Sequence, residues 1–90
     1  MIRAINQVSD DQFAATVGKY LDLKKFAAYL AVENFLCERD GFVGQWGINN
    51  FCLYRYQGRK RSEIIAWDKD DTLRGGDYPI WTNVADNVLA

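Results

Sequence analysis

The stretch from Asp22 to Cys37 limits most sharply what this chain can become. Asp22 is a good helix cap, and behind it Leu23, Phe26, Ala27, Leu30, Asn34 and Cys37 recur at helical spacing on one stripe. Tyr29, Val32 and Leu36 carry the apolar surface beyond that stripe. A helix apolar over so much of its circumference is ordinarily buried in a larger body. Its end is expected near Asp40-Gly41, where glycine lets the chain leave helical geometry.

The elements around it follow from local chemistry. Ser9-Asp10-Asp11-Gln12 has the form of a capping box, and Phe13, Val17 and Tyr20 follow at helical spacing, so a short helix is expected from Ser9 to Tyr20. Gly44 and Gly47 frame a loop around Trp46. The run from Asn49 to Tyr56 is rich in strand formers, Gln57-Gly58-Arg59-Lys60 supplies a turn, and Glu63 to Trp67 reads as the returning strand. Beyond lies a loop with Gly75-Gly76 and Pro79, and Asn83 is placed to cap a last helix of which Val84 to Ala90 form only the opening turns. The expected fold class is α+β: two N-terminal helices packed on an antiparallel β-hairpin, followed by a mostly irregular segment.

Composition narrows the function classes. Ninety residues make one small domain at most. At 49% hydrophobic and 14% aromatic, the chain has the material for a core, unlike disordered sequences. A net charge of −1 and a pI near 5.2 give no basic field for nucleic acid. The cationic cluster Arg59, Lys60 and Arg61 is expected to be a solvated turn. No apolar run approaches the roughly 20 residues of a membrane span, and no signal peptide is visible. Histidine is absent, which excludes Ser-His and Cys-His catalysis within the chain and leaves Cys37 and Cys52 without partners for a zinc site. Both cysteines are expected to be reduced and buried, with a disulfide as the alternative.

The chemistry gathers at one end of the hairpin. Asp40 precedes the first strand, Asn49 and Asn50 stand at its entrance, and Asp68, Asp70 and Asp71 follow the second. An antiparallel return should bring Asp68 beside Asn50 and the Asp40 loop. Carboxylates and an amide converging there suit a hard divalent cation. Each part alone is ordinary, since Asp-Gly is a common turn and Asn-Asn a common strand border. Their order, however, parallels the catalytic segment of protein kinases, in which an Asp and an Asn precede a metal-binding Asp across a short hairpin. Neither His-Arg-Asp nor Asp-Phe-Gly is present, so an ordinary kinase is not expected.

Several runs resemble the spore coat protein H (CotH) kinase family. They are Leu21-Asp22-Leu23-Lys24-Lys25-Phe26 with Tyr29-Leu30-Ala31-Val32, then Asp40-Gly41, Asn49-Asn50-Phe51 through Leu53-Tyr54-Arg55, Trp67-Asp68-Lys69-Asp70, and Gly75-Gly76-Asp77-Tyr78-Pro79. The likeness spans residues 9–90. It implies an atypical bacterial protein kinase, secreted or coat-associated, that moves phosphate from ATP to protein side chains with Mg²⁺, or Mn²⁺ or Ca²⁺ in its place. On that resemblance Asp40 is the catalytic residue that orients or deprotonates the acceptor hydroxyl. Asn50, rather than Asn49, helps hold metal. Asp68 bridges metal and nucleotide, and Asp70 is a second ligand or its support. Residues 1–90 are then expected to be part of a C-lobe-like catalytic segment, cut at both ends, whose partners are a missing nucleotide-binding N-terminal lobe and a protein substrate. The separation of Asp40 from Asn50 exceeds the roughly five positions of an ordinary kinase loop, which makes Asp40 the point of departure from the kinase pattern. A non-catalytic calcium-stabilised or pseudokinase adhesion module is the alternative. A two-carboxylate glycosidase fits less well, because it leaves Asn49 and Asn50 without a role. The isolated chain is expected to be catalytically silent and to form a homodimer.

Overall fold

A computed structural model of the chain describes every residue except Arg74, Tyr78, Ile80, Thr82, Asn83, Ala85, Asp86, Val88 and Ala90. Three helices, α1 (Ile2–Gln7), α2 (Asp10–Val17) and α3 (Leu23–Phe35), precede a hairpin of β1 (Phe51–Arg55) and β2 (Ser62–Ala66). The α+β class stands, with one helix more than the sequence pattern announced. From Trp67 onward the described residues form neither helix nor strand. The last helix expected behind Asn83 falls largely outside them.

Helix α2 is shorter than the Ser9–Tyr20 expectation. Ser9 occupies the cap position, but its side chain makes no capping hydrogen bond, and Gly18 closes the helix by donating to Ala14 O at 3.0 Å. Asp22 does cap α3, accepting from the Lys25 amide at 3.1 Å. That helix stops at Phe35 rather than near Asp40. Glu38 N–H returns to Glu33 O at 3.0 Å and Cys37 N–H to Asn34 O at 3.1 Å, while Cys37 takes a φ of 55°. This is a Schellman closure with cysteine in the left-handed position that glycine usually fills.

The hairpin is antiparallel with Phe51 opposite Ala66 and Arg55 opposite Ser62. Its other end is fastened to the α2–α3 connection. Ser62 donates to Tyr20 O at 2.7 Å and accepts from the Asp22 amide at 2.9 Å, forming a parallel bridge with Leu21. The core consists of Val17, Leu21, Phe26, Leu30, Phe42, Val43 and Ile64. Phe42 stands edge-on to both Phe26 and Phe51, with centroids 5.0 and 4.9 Å away. The loop between α3 and β1 is thereby pinned to the core by its own residues Phe42 and Val43, which fixes where Asp40 sits. The cationic turn lies against tyrosines, with Lys60 4.7 Å over the Tyr20 ring and Arg59 5.6 Å from that of Tyr56. Both cysteines are free thiols, Cys37 half-buried and Cys52 exposed, so neither is the buried thiol expected from the sequence, nor are they paired. Among the described residues no helix is long and apolar enough to cross a membrane.

Candidate functional site

Asp40 is held by amides on both carboxylate oxygens. Asn49 Nδ2 donates to one at 2.8 Å, and Asn50 Nδ2 donates to the other at 2.7 Å and to the Asp40 carbonyl at 2.9 Å. The loop closes on itself around this contact, with the Asn49 amide donating to Gly41 O at 3.2 Å and the Trp46 amide to Arg39 O at 3.2 Å. A Cβ at Gly44 would collide with the Arg39 carbonyl, so the tight loop requires glycine there. The Asn50 nitrogen is committed to Asp40, so only its side-chain carbonyl oxygen, an atom of the type a hard cation takes, is left to meet another group.

Asn50 stands one residue before the Phe51–Ala66 rung, and Asp68 two residues beyond it. Both leave the strands in the left-handed region, at φ 52° and 47°. Such backbone is uncommon for residues other than glycine, though Asn and Asp tolerate it best, and it turns each chain sharply at the hairpin mouth. Asp68 and Asp70 are exposed and Lys69 between them is half-buried. Asp71 is drawn elsewhere: Arg39 makes a two-pronged contact with its carboxylate at 3.2 Å on each arm, and stacks 4.9 Å over Trp46.

Sequence reasoning missed the residue at the centre. Glu33 is 3% exposed, yet its carboxylate accepts from Tyr29 Oη at 2.6 Å, Lys69 Nζ at 2.7 Å and the Phe42 amide at 2.7 Å. A Cβ on Gly41 would run into that carboxylate. Burial, reinforced by Glu33, pushes the Tyr29 phenol far above its ordinary range. Glu38 lies beside it, 1% exposed; one oxygen accepts from the Asp40 amide at 3.0 Å, and the other has no partner among the described residues. Burial pushes the Glu38 carboxyl up from its usual value. The signal available beforehand was the one acid of α3, in the last turn of an otherwise largely apolar helix, since a buried charge demands a partner.

The candidate ligand atoms of Asp68, Asp70 and Asn50 are all oxygens, a set that would suit magnesium rather than zinc. Among the described residues no three Cys, Asp or Glu side chains gather into a metal cage. A magnesium ion carried on nucleotide phosphates needs only one or two carboxylates, with phosphate and water completing its shell. The exposed carboxylates and the freed Asn50 oxygen match that demand.

No solved structure matches the chain. The inner spore coat protein H of Bacillus subtilis (strain 168) is 39% identical over 72 residues, which cover 80% of this chain and 18% of that protein. The family model described as CotH kinase protein matches residues 1–88, and the chain belongs to that family.

Proposed function

We propose that this chain carries the acceptor-side and metal-binding part of an atypical protein kinase that transfers phosphate from ATP to protein hydroxyls. The observation that supports it is the Asp40 carboxylate, fixed by Asn49 and Asn50 at the mouth of the hairpin whose second strand leads into Asp68. In this reading Asp40 takes the proton of the acceptor hydroxyl. A new bond forms from that oxygen to the γ-phosphorus, the bond to the β–γ bridging oxygen breaks, and ADP leaves with its electron pair. Bound Mg²⁺ supplies charge neutralisation at the phosphates. Asp68 and the Asn50 oxygen would hold it, with Asp70 as a second ligand or as support for Asp68. The chain spans 18% of the length of its curated relative, so a nucleotide-binding lobe is assigned to sequence outside it. The relative's name supports a coat-associated location.

The test is phosphotransfer by the full-length protein. Asp68→Asn is expected to abolish metal-dependent ATP turnover, since an amide does not replace a carboxylate's charge at Mg²⁺. Asp40→Asn is expected to remove transfer while nucleotide binding persists. Transfer at the parent's rate by both variants contradicts this reading. A parent that binds Ca²⁺ and transfers nothing favours the adhesion module.

A further inference from the structure

The two halves of the proposed site come from distant parts of the sequence, and a single network centred on the buried Glu33 connects them. Lys69 reaches inward to Glu33 at 2.7 Å across 36 residues, and its ammonium sits 5.4 Å over the Tyr29 ring. Its neighbours on both sides, Asp68 and Asp70, are exposed. Anchoring the middle residue of Asp68-Lys69-Asp70 therefore decides which way the outer two face. The other Glu33 oxygen accepts from the Phe42 amide at 2.7 Å, and Gly41 packs against the same carboxylate, one residue from Asp40. Arg39 and Asp71 repeat the link on the flank, with the Arg39 amide donating to Asp71 O at 3.4 Å besides the two-pronged side-chain contact.

We infer that Glu33, with Tyr29 and Lys69, is a positioning clamp that turns Asp68 and Asp70 outward and holds the Asp40 loop in register with them. None of the three touches the reacting atoms. Their role deepens the kinase reading and rests on it for its purpose. Burial sharpens the coupling: at a carboxylate that is 3% exposed no water stands ready to replace a lost partner, so a shift of Lys69 is felt at Phe42.

The coupling is measured first in the 90-residue chain, by amide chemical shifts. Glu33→Gln should move the signals of Lys69 and Asp70 as well as Phe42, and Lys69→Met should move those of Gly41, Phe42 and Asn49. Lys69→Met leaves Glu33 buried without its cation and is prone to unfold. The neutral double variant Glu33→Gln/Lys69→Met avoids that, and should perturb both groups while keeping the fold. Shift changes confined to each variant's own segment overturn the inference. In the full-length protein the double variant should then need about 10–100-fold more Mg²⁺ for half-maximal transfer, the usual consequence of losing outer-shell support. Excess Mg²⁺ should restore most of its rate, which general structural damage does not allow. A reduced rate with unchanged Mg²⁺ dependence overturns the positioning role. A parent without metal-dependent transfer overturns the kinase reading and the purpose of the clamp with it, while the shift experiment separately decides whether the halves are coupled.

Discussion

Asn50 gives its side-chain amide to Asp40 twice, at 2.7 Å to the carboxylate and at 2.9 Å to the carbonyl, across ten residues of loop. A free aspartate on a surface turn samples several rotamers. This one is locked, and the entropy of locking it is offset by hydrogen bonds to a charged group. The same contact turns the Asn50 oxygen away from Asp40, so in the proposed kinase reading one amide would orient the base and present a ligand oxygen. The left-handed backbone at Asn50 is the strained part of that arrangement.

Asn50→Gly separates amide from backbone, because glycine accepts the φ of 52° without strain. Phosphotransfer by the full-length protein is expected to fall by about 10–100-fold, as for other supports of a reacting or metal-binding group. Asn49→Ala, which removes one exposed hydrogen bond to Asp40, should cost less. A larger loss for Asn49→Ala in steady-state kinetics would reverse the roles given to the two asparagines.

Gly41→Ala tests the packing against Glu33. The added methyl meets the buried carboxylate, and overpacking of this kind costs about 1–3 kcal/mol. Gly76→Ala, whose Cβ meets nothing within 4 Å, should stay within about 0.5 kcal/mol of the parent. Urea denaturation of both variants decides it. Equal midpoints would mean that Glu33 moves aside freely.

The hairpin was legible in the sequence because its signals are local. Strand formers flank a glycine-bearing turn, and the strands expected within Asn49–Tyr56 and Glu63–Trp67 are found paired as Phe51–Arg55 and Ser62–Ala66. The α3 terminus was not legible, since Cys37 fills a position where sequence rules look for glycine. Helix α1 was missed because its cap, Met1, has no side chain that can cap, and six residues are too few to show a helical period. At the site, Asp40 and the two asparagines stood out as chemistry-bearing residues near a strand entrance. Glu33 and Lys69 did not. An ion pair spanning 36 residues leaves no local pattern, and Lys69 looked like a spacer between two aspartates.

Proton linkage acts with the same sign at buried Glu38 and half-buried Tyr29. The Glu38 carboxyl is raised by burial, so its contribution to stability is complete below the ordinary carboxyl value of 4.5 and is lost as pH rises through its raised value. Glu38→Gln, which cannot ionise, should therefore be more stable than the parent at neutral pH, with the gap closing as pH falls toward 4.5. Thermal melts across pH 4–8 measure this. A gap that widens toward acid would contradict the sign. The Tyr29 phenol is raised by burial and by Glu33, so its contribution is complete below the ordinary value of 10.0 and is lost as pH rises above it. An absorbance titration should show one phenol resisting ionisation until the fold opens, and Tyr29→Phe should remove it. That variant also loses a hydrogen bond to a charged acceptor, a cost of about 1.5–3 kcal/mol.

The isolated chain should self-associate. Val32 and Phe35 lie three residues apart on one face of α3 and are 57% and 77% exposed. Leu53 and Tyr54 on β1 are also open, at 42% and 51%. Apolar surface of this extent exceeds what soluble monomers ordinarily leave uncovered once it is contiguous. The strand edges add a second drive. In the two-stranded sheet β2 has a bridge to Leu21 at its start, whereas β1 pairs with β2 alone among the described strands. An unpaired edge recruits another strand, and two copies related by a two-fold axis cover both edge and helix face at once. Sedimentation from low to high micromolar concentration should show a shift from monomer to dimer. Val32→Lys/Phe35→Lys places charges on the helix face without touching the core, so it should weaken the dimer by at least tenfold while the fold persists. A parent chain that stays monomeric at high micromolar concentration rules the association out. A dimer untouched by the double substitution would assign it to the β1 edge instead, and a proline scan along Phe51–Arg55 would then locate the free amides.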